Sequence, residues 1–309
     1  MRLRLAVAAM LPVLALAACG TSTSSQEAGP TRTVKHAMGE TKVPMTPKRV
    51  VVLDTDKLDT MVSLGLAPVG AAQASQNQNW PTYLGSALSA TKAVGTTQAP
   101  SIEAIMALKP DLILGSKFRQ AAFYDKLSKI APTVFTEKVG ITWKDNFLLD
   151  AEALGKKDQA QKLLSDFETR AKEVGAKFSK LKVSIVRFMP TEIRMYGPES
   201  FSGIVVGDAG IQRPEVQKLA GQADKRFGKL SQENIAQADG DAIFYTAYGE
   251  AAAKSQATVT GGPLWKNLGA VKSNNAHNVD DEIWMTGIGV TAAGKILDDL
   301  DKYLTPLAS

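Results

Sequence analysis

The feature that most constrains the fold is a pattern the chain states twice. Ser101-Ile102-Glu103-Ala104-Ile105, with Asp111-Leu112-Ile113 after it, recurs 130 residues later as Ser231-Gln232-Glu233-Asn234-Ile235, with Asp241-Ala242-Ile243 after it. A serine able to cap a helix, an acid in the first turn and an aspartate before an apolar run describe a helix–loop–strand unit. Two copies predict two lobes of similar build. A chain of 309 residues is long enough to need more than one core. Around the first copy the same alternation continues. Arg49-Val50-Val51-Val52-Leu53-Asp54 reads as a short buried strand, residues 58–66 as a helix stopping at Gly65, and Pro68-Val69-Gly70-Ala71 as the next strand. This βα order predicts an α/β fold of two Rossmann-like lobes built on parallel sheets.

Between the copies, residues 143–180 place Phe147, Leu148, Ala151, Leu154, Ala160, Leu163, Leu164, Phe167, Val174 and Phe178 mostly at three- and four-residue steps. Gly155 is the one early weak point. Read as mainly one helix of some 30 residues, the segment would be about 45 Å long, a stiff strut joining the lobes across a cleft. Trp143 and Trp265 read as packing residues at helix starts. The expected division is a lobe over 34–142, the connecting helix over 143–180 and a second lobe over 181–309.

The first residues point to a compartment. Arg2 and Arg4 precede an apolar run over 5–18, broken only by Pro12, which is too short to span a bilayer and suits a secretory signal over 1–18. Leu16-Ala17-Ala18-Cys19-Gly20 ends it, and small residues before a cysteine at that place match the bacterial lipoprotein signal, with Cys19 the lipidated residue. The alternative is an ordinary signal peptide with an incidental cysteine. Residues 19–33, which carry the lipid on Cys19 and are rich in Ser, Thr, Gly and Gln, read as a flexible tether. Localisation would be extracytoplasmic, with the lipid on the outer face of the cytoplasmic membrane.

Composition removes other classes. The net charge of +5 falls to +3 once Arg2 and Arg4 leave with the signal, and the basic residues are scattered, so no nucleic-acid stripe is formed. One cysteine and two histidines, His36 and His277, leave no disulfide framework and no Cys/His metal cluster. There is no phosphate-binding glycine loop and no Gly-x-Ser-x-Gly elbow, so an enzyme is not expected.

In this order, the lipobox, the tether, Arg49-Val50-Val51, Leu64-Gly65-Leu66-Ala67-Pro68-Val69-Gly70 and the run from Ile102-Glu103-Ala104-Ile105 to Lys109-Pro110-Asp111-Leu112-Ile113 resemble the class III periplasmic binding proteins. Pro263-Leu264-Trp265-Lys266-Asn267-Leu268-Gly269-Ala270-Val271 is similar to that family's late helix–strand connection. These are the helix-linked, bilobal binding proteins of iron-siderophore and cobalamin ABC importers. Gly115-Ser116-Lys117-Phe118-Arg119 and Val186-Arg187-Phe188 look most like the ferric hydroxamate and mixed carboxylate–hydroxamate binders. The resemblance implies a ferric siderophore held between the lobes, no catalysis, delivery to an ABC permease dimer with its ATPase, and a monomeric receptor. Within the same fold a cobalamin- or haem-binding protein is the nearest alternative; a structural or adhesive lipoprotein is the alternative of another class.

Because a siderophore already saturates its iron, no metal ligand and no cofactor are expected of the protein itself. What is needed is cationic donors and aromatic walls. Arg119 lies just past an expected strand, where parallel sheets present ligands. Arg187 interrupts the apolar run Val183-Ser184-Ile185-Val186, which is costly unless the charge is paired or solvated in a cleft. Arg194 and Tyr196, two apart, share a strand face beyond a turn at Pro190-Thr191-Glu192, although Arg194 could instead pair with Glu192 on an exposed hairpin. Trp80 in a polar loop, and Tyr245 and Tyr248 after the strand of Ala242-Ile243-Phe244, complete the reading from residues. Trp284, before the last helix, is added by the resemblance, which also implies permease docking by one acid per lobe; the repeat supplies Glu103 and Glu233.

Overall fold

The computed structural model describes residues 29–75 and 79–308; residues 1–18, Cys19 and most of the expected tether lie outside that span. Chain order begins with an antiparallel hairpin, β1 (Thr31–His36) and β2 (Gly39–Pro44). The strand therefore begins inside the expected tether, at Thr31, rather than after residue 33. The cause is period-two patterning: Val34 and Val43 point inward and are fully buried in the first lobe's core.

The first lobe is a parallel sheet of β3 (Val50–Val52), β4 (Gly70–Gln73), β5 (Lys92–Thr96), β6 (Leu112–Ser116) and β7 (Thr133–Thr136), in the order β5-β4-β3-β6-β7. Its helices are α1 (Thr55–Ser63), α2 (Ile102–Ala107), α3 (Lys117–Gln120) and α4 (Tyr124–Leu127). The second lobe repeats the order as β10-β9-β8-β11-β12, with β8 (Val183–Phe188), β9 (Ile193–Tyr196), β10 (Phe227–Leu230), β11 (Ala242–Ala247) and β12 (Ala276–Asn278). Here the sheet is mixed rather than parallel, because β8 and β9 are joined by the tight Pro190-Thr191-Glu192 turn, in which Met189 N–H donates to the Glu192 carbonyl at 2.8 Å. A parallel crossover needs a dozen or more residues, and this turn leaves none.

The internal repeat is real chemistry. Asp111, before β6, accepts from the N–H groups of Lys48 and Arg49 at the foot of β3 (2.7 and 2.8 Å). Asp241, before β11, accepts from Lys182 N–H at the foot of β8 (2.7 Å). Each aspartate ties its strand to the neighbouring one. The helices differ: Ser101 Oγ caps α2 by accepting from Ala104 N–H, whereas 231–238 forms a turn and a short 3-10 helix, Ile235–Ala238. Glu233 is therefore in an exposed turn, not in the first turn of an α-helix.

The connector is two helices, α5 (Trp143–Leu154) and α6 (Lys157–Ala176), instead of one. Gly155 takes φ +73°, its N–H and that of Lys156 close onto the carbonyls of Glu152 and Ala151, and Arg32 donates to the Glu152 carbonyl at 3.1 Å. That is a left-handed glycine cap, which ends a helix. Only α6 serves as the strut, 20 residues and about 30 Å long. Ala160 and Leu163 near its start pack in the first lobe; Phe167, Ala171 and Val174 pack in the second.

The remaining helices are α7 (Phe201–Asp208), α8 (Gly249–Gly261), α9 (Pro263–Lys266), α10 (Gly269–Lys272) and α11 (Val290–Leu304). Gly289 at the head of α11 offers no side chain, and its cap comes from the other lobe. Buried Asp59 of α1 accepts from the N–H groups of Thr291 and Ala292, both at 2.9 Å, and from the Tyr83 hydroxyl at 3.1 Å. A Cβ on Gly289 would lie 2.5 Å from that carboxyl carbon. Glu282 adds a second bridge by accepting from Thr82 N–H (2.8 Å) and its hydroxyl (3.0 Å). These contacts fix the lobes to each other beside the cleft.

Candidate functional site

The carboxyl ends of the central strands of both sheets meet at a cavity of about 360 Å³ between the lobes. Thr55 follows β3, Ala74 follows β4, Thr97 and Gln98 follow β5, and Arg119 lies in α3 after β6; all line it from the first lobe. Arg187 and Met189 at the end of β8 and Tyr248 after β11 line it from the second, and Met285, Thr286 and Ile288 close one end.

Arg119 donates to Asp54, the N-cap of α1, which is fully buried. Asp54 also accepts from Thr55 N–H at 2.9 Å and from the Ser116 hydroxyl at 2.8 Å. Burial, and then the Asp56 carboxylate, push the Asp54 carboxyl above its ordinary range, while Arg119 pulls it back. Arg187 is 7 % exposed and gripped bidentately by Asp281, with Nε and Nη2 at 2.7 and 2.5 Å from its two oxygens. Burial opposes the charge on Arg187, but the Asp281 contacts outweigh it and hold the guanidinium above its ordinary pKa. Its face lies 4.7 Å from the Tyr248 ring centroid, a cation–π contact within the cavity wall.

The other expected residues are placed as follows. Arg194 stands directly opposite Arg187 in the β8–β9 register and so on the same face. It is spent on Glu192 (2.5 Å) and lies over the Phe227 ring at 4.1 Å, outside the cavity wall, as the hairpin alternative described. Tyr196 shares that face and meets Arg187 through its hydroxyl at 3.4 Å, behind the wall rather than on it. Trp80 lines a narrow crevice with Pro81 and Glu282 that shares Thr55, Ala74 and Thr286 with the cavity. Two expectations are corrected. Tyr245 faces the opposite layer, packing on Trp265 at 5.1 Å, because it alternates with Phe244 and Thr246 along β11. Trp284 is wholly buried, stacked on Phe244 at 4.6 Å with Nε1 donating to Asp299; its neighbours Met285 and Thr286 reach the cavity instead. They sit on a π-helical turn, Glu282–Thr286, closed by Gly287 N–H donating to the Glu282 carbonyl, whose extra residue per turn separates one side chain in the core from the next in the cleft.

Asp54 and Asp281 went unrecognised in the sequence. Asp54 carried a usable signal, since it follows a strand at the same sheet end as Arg119. Asp281 carried none, lying 94 residues from Arg187. A second space of about 280 Å³ lies between Phe118, 60 % exposed on the first lobe's rim, and Arg226, Asp224 and Glu199 of the second. Among the described residues no group of three or more His, Cys, Asp or Glu is placed to hold a metal ion, and no helix is long and apolar enough to cross a membrane.

Comparison with known proteins matches a family model described as periplasmic binding protein over residues 50–282. The chain is 41 % identical over 309 residues, 95 % of each chain, to a probable siderophore-binding lipoprotein of Bacillus subtilis (strain 168), YfiY. It is 31 % identical, over 93 % of each, to a putative ABC transporter substrate-binding lipoprotein of the same organism, YhfQ. Among solved structures it resembles Staphylococcus aureus SirA complexed with staphyloferrin B, with a TM-score of 0.79 and 35 % identity over 89 % of this chain and 99 % of that one.

Proposed function

The chain belongs to the periplasmic binding protein family, and from that premise we propose that it captures a ferric siderophore in the cavity between Arg119 and Arg187 and hands it to an ABC-type permease for iron uptake. The observation that carries this reading is the pair of arginines brought to one cavity from the two lobes, Arg119 after β6 and Arg187 on β8. A ferric hydroxamate, or a mixed carboxylate–hydroxamate, presents an octahedral iron shell with oxygens outward. Guanidinium donors meet those oxygens, while Met189, Met285 and Tyr248 cover the aliphatic periphery. Iron arrives saturated by its chelator as cargo, so the protein supplies neither a metal ligand nor a cofactor, and it performs no catalysis. Capture and release are the whole task.

The receptor is held outside the cytoplasmic membrane by a lipid on Cys19, a reading supported by the word lipoprotein in the names of two relatives. It works as a monomer and docks on a permease dimer, driven by its ATPase, through one acid per lobe. Glu103 and Glu233 are both exposed, as docking requires. Changing both to alanine is expected to leave ligand affinity within twofold and to reduce iron-dependent uptake in cells at least tenfold. Unchanged uptake would remove them from the docking surface.

The function itself is tested by titrating the soluble chain, beginning after Cys19, with ferrioxamine, ferrichrome, ferric citrate, cobalamin and haem while following tryptophan fluorescence. Half-buried Trp80, beside the cavity, is the reporter. Saturable sub-micromolar quenching by the ferric hydroxamates is the expected result. Quenching by cobalamin or haem alone would contradict it.

A further inference from the structure

Both cavity arginines reach the ligand space already matched by a carboxylate. Arg119 holds Asp54, which is 0 % exposed, and Arg187 holds Asp281 through both of its oxygens. Asp54 meets donors in Thr55 N–H, the Ser116 hydroxyl and Arg119, and Asp281 meets donors in Arg187 and the Thr246 hydroxyl at 2.8 Å. Both carboxylates are thus held in place beside their arginines by geometry: neither can swing away without giving up several hydrogen bonds.

The next ring of charges leaves the balance unaltered. Lys57 is outnumbered by Asp56 and Asp150, behind Asp54. Arg226 is paired with Asp224 in the second interlobe space, where Lys138 and Glu199 also lie and offset each other. Arg194 and Lys229 share Glu192, and Lys117 is paired with Glu137. No cluster of unmatched cations faces the cavity among the described residues, although arginine donors do. A cleft of this kind offers hydrogen bonds without offering net positive charge.

On the reading that the cavity takes a ferric siderophore, we infer that Asp54 and Asp281 are specificity-determining residues. By matching Arg119 and Arg187 they keep the walls near electroneutral, so the receptor selects ferric complexes of little or no net negative charge and rejects trianionic ones. A hydroxamate shell spreads its charge over oxygens that accept from N–H groups, so paired arginines serve it. A triscatecholate shell brings three uncompensated negative charges within a few ångströms of two carboxylates that cannot leave, and in a partly dry cleft that repulsion is weakly screened. Selection by repulsion against the wrong charge is a usual route to specificity.

The test compares neutral ferrichrome and cationic ferrioxamine B with the trianionic ferric enterobactin complex, on the soluble chain and on the Asp54→Asn and Asp281→Asn variants. The asparagine keeps an oxygen for Thr55 N–H or for the Thr246 hydroxyl, and circular dichroism checks that each variant folds; Asp281, the less buried, is the safer of the two. The wild-type chain is expected to bind the hydroxamates at least a hundredfold more tightly than the trianion. In each variant the preference for ferrichrome over the trianion should fall at least tenfold. Tighter wild-type binding of the trianion, or variants that lose both classes equally, would overturn the inference and leave the receptor reading standing. Binding of no ferric complex of any charge would remove the receptor reading and this inference with it.

Discussion

Replacing Arg187 with alanine is expected to weaken binding of the ferric ligand about a hundredfold, roughly 2.7 kcal/mol, the range of charge-assisted hydrogen bonds. Arg187 is 7 % exposed and anchored on both of its donor edges, so it meets the ligand pre-oriented and little side-chain entropy is lost on binding. The loss has two sources. Donors disappear, and Asp281 is left facing an oxygen-rich ligand with only the Thr246 hydroxyl to satisfy it. The double change Arg187→Ala with Asp281→Ala removes the second source, and its deficit should shrink to about tenfold. Calorimetric titration of both variants checks this. A loss under twofold in the single variant would take Arg187 out of the site.

The largest effect on stability is expected at Lys57, which does not line the cavity. Its side chain is fully buried in α1, with Nζ 2.9 Å from Asp56, 2.9 Å from Asp150 and 3.0 Å from the Thr136 hydroxyl. Lys57→Met would fill similar volume but leave two buried carboxylates without a counter-ion. Breaking a buried pair from one side costs about 3–5 kcal/mol. The pH dependence follows from Asp150, whose carboxyl burial raises from 3.8 to about 7. A folded-state pKa above the unfolded one means that the native state takes up a proton between about pH 4 and 7. Stability therefore falls as pH climbs through that window and does not change further on its account above it. Without Lys57 the Asp150 carboxyl rises further, so the variant should be damaged most at neutral and alkaline pH and recover part of its stability near pH 5. Urea unfolding at both pH values measures it. A deficit below about 1 kcal/mol that ignores pH would show that the cluster is hydrated or rearranges.

The parts of this molecule legible in its sequence are those that local pattern dictates. Ser101 with Asp111 and Ser231 with Asp241 announced two like units because the same backbone ties recur at the foot of β3 and of β8. The rule that ligands gather at carboxyl ends of strands placed Arg119, and the cost of a lone cation in an apolar strand placed Arg187. Face assignment failed where a strand is buried on both sides: Tyr245 and Thr246 alternate in β11, and nothing local says which of them looks toward the cleft. Trp284 failed for a similar reason, since a π turn rather than an ordinary loop decides which of three neighbours points inward. Gly155 was visible as a weak point, but the Arg32 side chain that completes its cap comes from 120 residues away in the sequence. Charge pairing was the least legible, because Asp281 meets Arg187, and Asp59 meets α11, only after the chain has folded.

The central claim is that iron is held between the lobes entirely through its chelator. Anomalous diffraction at the iron edge, from crystals of the soluble chain with a ferric hydroxamate, tests it most directly. The account predicts one iron peak in the cavity bounded by Arg119, Arg187 and Tyr248, with chelator oxygens filling its coordination sphere and the arginines donating to those oxygens. Iron bound directly by protein carboxylates, or lying outside the cleft, would contradict it.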